Sequence, residues 1–257
     1  MTMDDDTAAV PDRYRGVWVR TLLQTPTLRD DTTFVRWLQT SRWHADLRVP
    51  AGARPQPLPA DLARQQGFSG VTTVESTTDA EVCAWHRRFD FQPPGPHPDA
   101  GRIVFDGADR LVETGIHADY LEVWERLPES TGRFAVLALP ASTPHEATTL
   151  LLVAGRHAMR VRPRRAPWPA DTAVADDLAA LLLRHPQHED LLDLEISYGT
   201  LVEGKLAITQ STLPRCEGST SDCVVRRVSA DMAVAEGSPD APAWRILEWS
   251  VAGDVLA

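Results

Sequence analysis

The 257-residue chain has only three cysteines, Cys83, Cys216 and Cys223. That is too few for a disulfide framework. Cys216 and Cys223 could close a short loop, but a reduced pair is the expectation in a cytosolic protein, and their spacing without a neighbouring histidine is not a zinc pattern. Long apolar runs are also missing, since none approaches the roughly 18 residues that span a bilayer. Positive charge is outweighed: the formal net charge is −10 and the pI about 5.2, which opposes binding to nucleic acid or to an anionic membrane. The start, Met1 to Asp6, is acidic and lacks the basic-then-apolar order of a secretory signal, so the expected location is the cytoplasm. There is no P-loop, no G-x-G-x-x-G and no G-x-S-x-G, which removes the nucleotide, dinucleotide and α/β-hydrolase readings. Metal and cofactor signals are equally thin. His44 and Asp46 alternate as two ligands would, but the other histidines are scattered, and no metal or cofactor is expected.

What the chain does have is alternation. Trp18-Val19-Arg20, Trp37-Leu38-Gln39, Asp46-Leu47-Arg48, Trp85-His86-Arg87 and Tyr120-Leu121-Glu122-Val123-Trp124 each place aromatic and charged side chains two residues apart. In a strand these project to one side of a sheet, leaving Val17, Val19, Leu38, Leu47, Val49, Leu121 and Val123 on the other. About eight such strands fall in roughly 115 residues, the number that closes an up-and-down barrel around a small-ligand cavity. Turn residues such as Asp30-Asp31, Thr40-Ser41 and Asp106-Gly107 separate them. A short helix at Pro59 to Gln66 follows the third strand and is placed to lid or plug the barrel.

Pro128-Glu129-Ser130-Thr131-Gly132 reads as a linker, dividing the chain into residues 12–128 and 133–257. Beyond it, strands resume around one helix near 172–185. There Val174, Leu178, Leu181 and Leu182 recur at helical spacing after an Asp171-Thr172 cap, and Pro186 ends the run. The fold class expected is mainly β, antiparallel, with two barrel-like domains. The second half is either another barrel or an extension of the first sheet.

The opening Gly16-Val17-Trp18 resembles the G-x-W start of the lipocalin and calycin superfamily. That resemblance implies a tryptophan plugging the closed end of the barrel and an arginine late in the barrel packed across it, here matched to Arg126. Ala118-Asp119-Tyr120 is similar to the T-D-Y turn of the same superfamily. Segments such as Trp37-Leu38-Gln39-Thr40, Ala45-Asp46-Leu47-Arg48-Val49-Pro50 and Glu195-Ile196-Ser197-Tyr198-Gly199 are similar to cytosolic two-domain lipocalin-like proteins of fungi and bacteria.

Inside a barrel, unpaired charges are costly, so the inner arginines and acids should pair with one another or with a ligand. The expected ligand-binding residues are Arg20, Trp37, Arg48, Trp85, Arg87, Tyr120 and Trp124. The ligand would be a small polar-aromatic or amphipathic molecule. An alternative is a cofactor-independent isomerase, cyclase or lyase using Asp46 and Glu122 for acid and base work. A third reading is an interaction module with filled barrels, whose outer aliphatic faces and basic stretch Arg156 to Arg165 meet a partner. A homo-oligomer is compatible with each. Cys83 shares the face of Trp85 and is read as a buried, inert thiol.

Overall fold

The computed structural model describes residues 8–52, 57–78, 80–139, 148–173, 177–236 and 243–256. Nine strands come first: β1 (Gly16–Gln24), β2 (Arg29–Asp30), β3 (Phe34–Gln39), β4 (Trp43–Val49), β5 (Gln66–Ser76), β6 (Glu81–Asp90), β7 (Asp99–Phe105), β8 (Arg110–Gly115) and β9 (Leu121–Arg126). From β3 to β9 each strand pairs antiparallel with the next. β1 joins β3 on one side and β9 on the other, so eight strands close into a barrel and β2 extends β1 as a short hairpin. Among the described residues the eight-stranded barrel has no unpaired edge of its own, and only the two-residue β2 presents one.

The second half forms one ten-stranded sheet. Its members are β10 (Phe134–Leu139), β11 (Thr149–Ala154), β12 (His157–Arg162), β13 (Glu195–Val202), β14 (Lys205–Ser211), β15 (Thr220–Asp222), β16 (Val225–Arg227), β17 (Met232–Ala235), β18 (Ala243–Ser250) and β19 (Val255–Leu256). The strand order is β15-β14-β13-β12-β11-β10-β18-β17-β16-β19, and its two ends do not pair among the described residues. It is a curled half-barrel, separate from the first sheet. The protein is thus mainly β, with two barrel-like halves that meet at the segment between Arg126 and Phe134.

Helices are few. The one expected over 172–185 is shorter than the periodicity suggests, running Leu178–Arg184 (α2), with Asp177 as its cap accepting from Ala180 N at 2.6 Å. Thr172, expected in the cap, instead turns back on itself, its N and Oγ1 both donating to Pro169 O, while Asp171 pairs with His185 at 3.0 Å. A Ser, Thr or Asp side chain that finds a local backbone or side-chain partner competes with helix formation. Val174 and the acidic start lie outside the described residues. The short α1 (Pro59–Leu62) does not plug the barrel. Leu62 and Ala63 pack into the core shared by the two halves, and Gln65 Nε2 donates to Thr212 O at 3.3 Å. Among the described residues no helix is long and apolar enough to cross a membrane.

The alternation in the sequence becomes a division of the barrel wall. Val17, Leu38, Ala45, Leu47 and Val49 face outward and pack against Val136, Leu150, Leu152, Met159, Val161 and Ile196 of the second sheet. The opposite face of that sheet buries Ala135, Leu137, Leu151, Val153, Leu206 and Ile208. A strand covered on both faces has no reason to alternate, which explains the continuous apolar runs of β10 and β11. The aliphatic outside of the barrel therefore has an intramolecular partner. Glu248 adds polar contacts across the same boundary, accepting from Thr40 Oγ1 and Ser41 N, each at 2.8 Å. The basic stretch is also engaged within the chain: Arg160 with Glu195 at 2.6 Å, Arg162 with Asp193 at 3.0 Å, and Arg164 with the carbonyls of Asp90 and Phe91.

Candidate functional site

One end of the barrel is closed by side chains. Gly16 lets the chain enter β1 at a φ of 134°, a conformation other residues rarely adopt, and Trp18 follows on the inner face. The Trp18 indole N–H donates to Tyr14 O at 2.7 Å, and the Arg126 guanidinium lies over its ring at 4.7 Å while donating to Arg15 O. Phe105 meets the same indole edge-on. Trp18 is fully buried and does not reach the cavity above.

Strand register then stacks the inner side chains in rows. Trp18 lies opposite Trp37, Trp37 opposite Asp46, and Asp46 opposite Phe68, so one row crosses four strands on the inner face. A second row pairs Arg20 with Trp124, and a third pairs Glu113 with Glu122. Between Ser69 and Gly70 a bulge in the β5–β6 pairing skips Arg88. Arg87 consequently faces in over Phe68 at 3.7 Å, whereas Arg88 lies over the outer Trp43 and Phe89 packs in the outer core. A Cβ on Gly70 would meet His86 O at 2.0 Å, so only glycine permits this crossing of the strands.

Above these rows lies a cavity of about 410 Å³ that opens to solvent. All nine site residues expected from the sequence line it: Arg20, Trp37, Asp46, Arg48, Trp85, Arg87, Tyr120, Glu122 and Trp124. Trp37 sits at the centre of its floor, with ring centroids 5.4 Å from Trp85 and 5.7 Å from Trp124. The mouth is formed by Thr25, Pro50, Arg64 and Asp119. The first barrel is therefore not filled by its own side chains.

The charges of the wall form an alternating chain. Asp46 holds Arg48 at 2.7 Å, Arg48 approaches Glu122 at 3.7 Å, Glu122 holds Arg20 at 2.7 Å, and Arg20 reaches Asp30 at 3.0 Å. Burial raises the Asp46 carboxyl above the usual carboxylate range, with Arg48 acting against that shift. Asp30 goes the other way. Burial opposes its charge, but hydrogen bonds from Thr33 and Thr32 prevail and hold it below the usual range. Near the mouth, Arg87 is shared by Asp99 at 2.7 Å and Asp90 at 2.9 Å. The three inner arginines are thus each paired with the protein's own acids.

Glu113 was not singled out by the sequence and is the most perturbed acid of the pocket. It is buried, and its partners are neutral: Tyr120 OH donates to Oε1 at 2.7 Å and the Trp124 indole N–H to Oε2 at 3.2 Å. Desolvation, then the nearby charge of Glu122, push its pKa up to about 8. Its carboxyl folds over β7 at Gly101, where a Cβ would lie 2.6 Å from Oε1. The signal available was the alternation of Leu111 and Glu113 in Arg110–Gly115, which puts both on the inner face.

This raised pKa has a consequence for stability. Glu113 titrates near its ordinary 4.5 when unfolded and near 8 when folded, so between these values the folded state binds more protons. Its contribution is fully present below about pH 4.5 and is lost as pH rises through about 8, at up to ~1.4 kcal/mol per pH unit. Unfolding free energies compared across that range should show the wild type losing stability relative to Glu113→Gln. Parallel curves for the two proteins would refute the assignment.

His44 and Cys83, both weighed from the sequence, lie below the floor. His44 is buried and held neutral by burial and by nearby Arg87, with Nδ1 3.0 Å from Thr72 Oγ1, and it does not line the cavity. Cys83 is buried in the aromatic cluster with its thiol pushed up by desolvation, as an inert thiol is. All three cysteines are free. Among the described residues no group of three or more His, Cys, Asp or Glu side chains is placed to hold a metal ion.

No protein-family model matches the sequence, and no curated protein matches it significantly. In three dimensions the chain is similar to the crystal structure of an uncharacterized Saccharomyces cerevisiae protein, YLR301w. The TM-score is 0.59 at 13% identity, over 92% of this chain and 99% of that one. A match of that extent takes in both the barrel and the second sheet. At so low an identity it shows a shared fold and carries no activity across.

Proposed function

We propose that this chain is a lipocalin-like protein that binds a small polar-aromatic molecule in its first barrel. The observation that carries the reading is the open cavity of about 410 Å³ with a tryptophan floor and a charged wall, a size suited to a small molecule. The Arg126 guanidinium over Trp18 at the closed end supports the lipocalin-like assignment. In this reading the protein acts in the cytoplasm, alone or as a homo-oligomer, without nucleic acid or membrane.

Native mass spectrometry of freshly purified protein, with a panel of cationic, neutral and anionic naphthalenes titrated afterwards, tests it. The wild type should retain a small molecule or bind members of the panel. Ala118→Trp, which places an indole at the mouth, should do neither. Equal behaviour of the two proteins, or no binding by either, would end the proposal.

The environment of Glu113 favours a second reading, a cofactor-independent isomerase, cyclase or lyase. A carboxyl with a pKa of about 8 can hold a proton at neutral pH and exchange it, whereas Asp46 and Glu122 are each committed to an arginine. In that case Glu113→Gln should still bind the retained molecule and leave it unchanged on incubation. Conversion at the wild-type rate would exclude Glu113 as the acid–base group.

A further inference from the structure

We propose, building on the small-molecule reading above, that the pocket selects an organic cation: a protonated amine carried on a flat ring, with its ammonium on the Glu113 carboxylate and its ring against Trp37 and Trp124. Three observations converge on this. Four arginines and six carboxyl groups line the cavity, so acid is in excess. Each of the three inner arginines is held by one of these acids at 3.0 Å or less, which leaves the exposed Arg64 as the one lining arginine without an ion pair among the described residues. An anion entering the barrel would have to break an internal pair. Glu113, by contrast, is the one buried wall carboxyl without an arginine partner among the described residues, and it receives only neutral donors. Trp124 turns its N–H edge to Glu113, and the indole faces of Trp37 and Trp124 line the same cavity, where a ring carrying positive charge is attracted through the ring quadrupole.

The groups that face Glu113 leave it short of positive charge. Glu122 approaches from β9, Tyr120 from the turn before it, Asp99 from β7 and Cys83 from β6, with Arg48 of β4 the cation that acts against them. A bound ammonium supplies what is missing. With its pKa pushed up to about 8 by burial, Glu113 carries a proton at neutral pH before an amine binds, so the amine enters as R–NH3⁺, the carboxylic acid gives its proton to solvent, and an ammonium–carboxylate pair remains. Charge and protons balance with no other reactant.

The test uses three probes with one ring: 2-naphthylmethylamine, 2-naphthalenemethanol and 2-naphthylacetate. Isothermal titration in two buffers of different ionisation enthalpy should show the amine binding most tightly and releasing about one proton at pH 7. Its affinity should rise by up to about tenfold per pH unit from about pH 6 toward about 8, where the amine keeps its own proton. Glu113→Gln should weaken the amine about tenfold or more and abolish the proton release while sparing the alcohol. If that variant does not fold, the pH slope of the wild type decides alone. Equal affinity for all three probes, or a flat pH profile, would overturn the cation assignment and leave the small-molecule reading intact. Absence of binding by all three would overturn the cation assignment, and, where the purified protein also retains no small molecule, the small-molecule reading with it.

Discussion

Arg20→Met is expected to cost about 3–5 kcal/mol of unfolding free energy. The side chain is 6% exposed and bridges Glu122 at 2.7 Å and Asp30 at 3.0 Å, so its removal leaves two acids facing each other without the cation that separates them. Arg48 stands 3.7 Å from the same Glu122 oxygen and can move toward it, which places the loss at the lower end of the range. The double variant Arg20→Met/Glu122→Met should recover most of the stability, because replacing both members of a buried pair removes the desolvation cost along with the attraction. Urea denaturation of the two proteins measures both effects. A loss under about 1 kcal/mol for the single change would mean that solvent in the cavity screens the row, as it does for surface pairs.

Trp37→Ala should be comparably severe, again about 3–5 kcal/mol. Its indole touches Trp18, Trp85 and Trp124, with centroids 6.3, 5.4 and 5.7 Å away, and its N–H donates to Gln39 Oε1 at 3.2 Å. Removing it takes away the common neighbour of three aromatic rings and joins the hole to the cavity above. The near-ultraviolet circular dichroism of the tryptophans should collapse well before the β signal does, and Trp37→Phe should retain most of both. Undiminished near-ultraviolet dichroism in Trp37→Ala would show that the indoles are held independently of one another.

The inner wall was legible in the sequence because strand geometry leaves little choice. Once Trp37-Leu38 and Asp46-Leu47-Arg48 are strands, the period of two sends Trp37, Asp46 and Arg48 to one side and the leucines to the other, and the register adds only which neighbours meet. The identity of the ion pairs was hidden, since Arg20 meets Glu122 across more than a hundred residues of chain. Glu113 was hidden for a related reason. Its significance rests on Tyr120, Trp124 and the missing side chain of Gly101, none of which marks Arg110–Gly115 as unusual. The strand order of the second sheet depends on β10 pairing with β18, a contact that no local pattern announces. The start of α2 was misplaced because Asp171-Thr172 has the chemistry of a cap, and only the hydrogen bonds of Thr172 to Pro169 show it spent elsewhere.

The aliphatic outside of the barrel bears on how the protein can be divided. A chain cut within Pro128 to Gly132 would release a barrel whose Val17, Leu38, Ala45, Leu47 and Val49 had lost Val136, Leu150, Leu152 and Ile196 as cover. Topology alone would permit the cut, because the barrel closes its own hydrogen bonds. Solubility would not, since a contiguous apolar face exposed to water promotes association. The two sheets are separate in their pairing and joined in their unfolding, so a fragment ending at the linker is a poor surrogate for the whole.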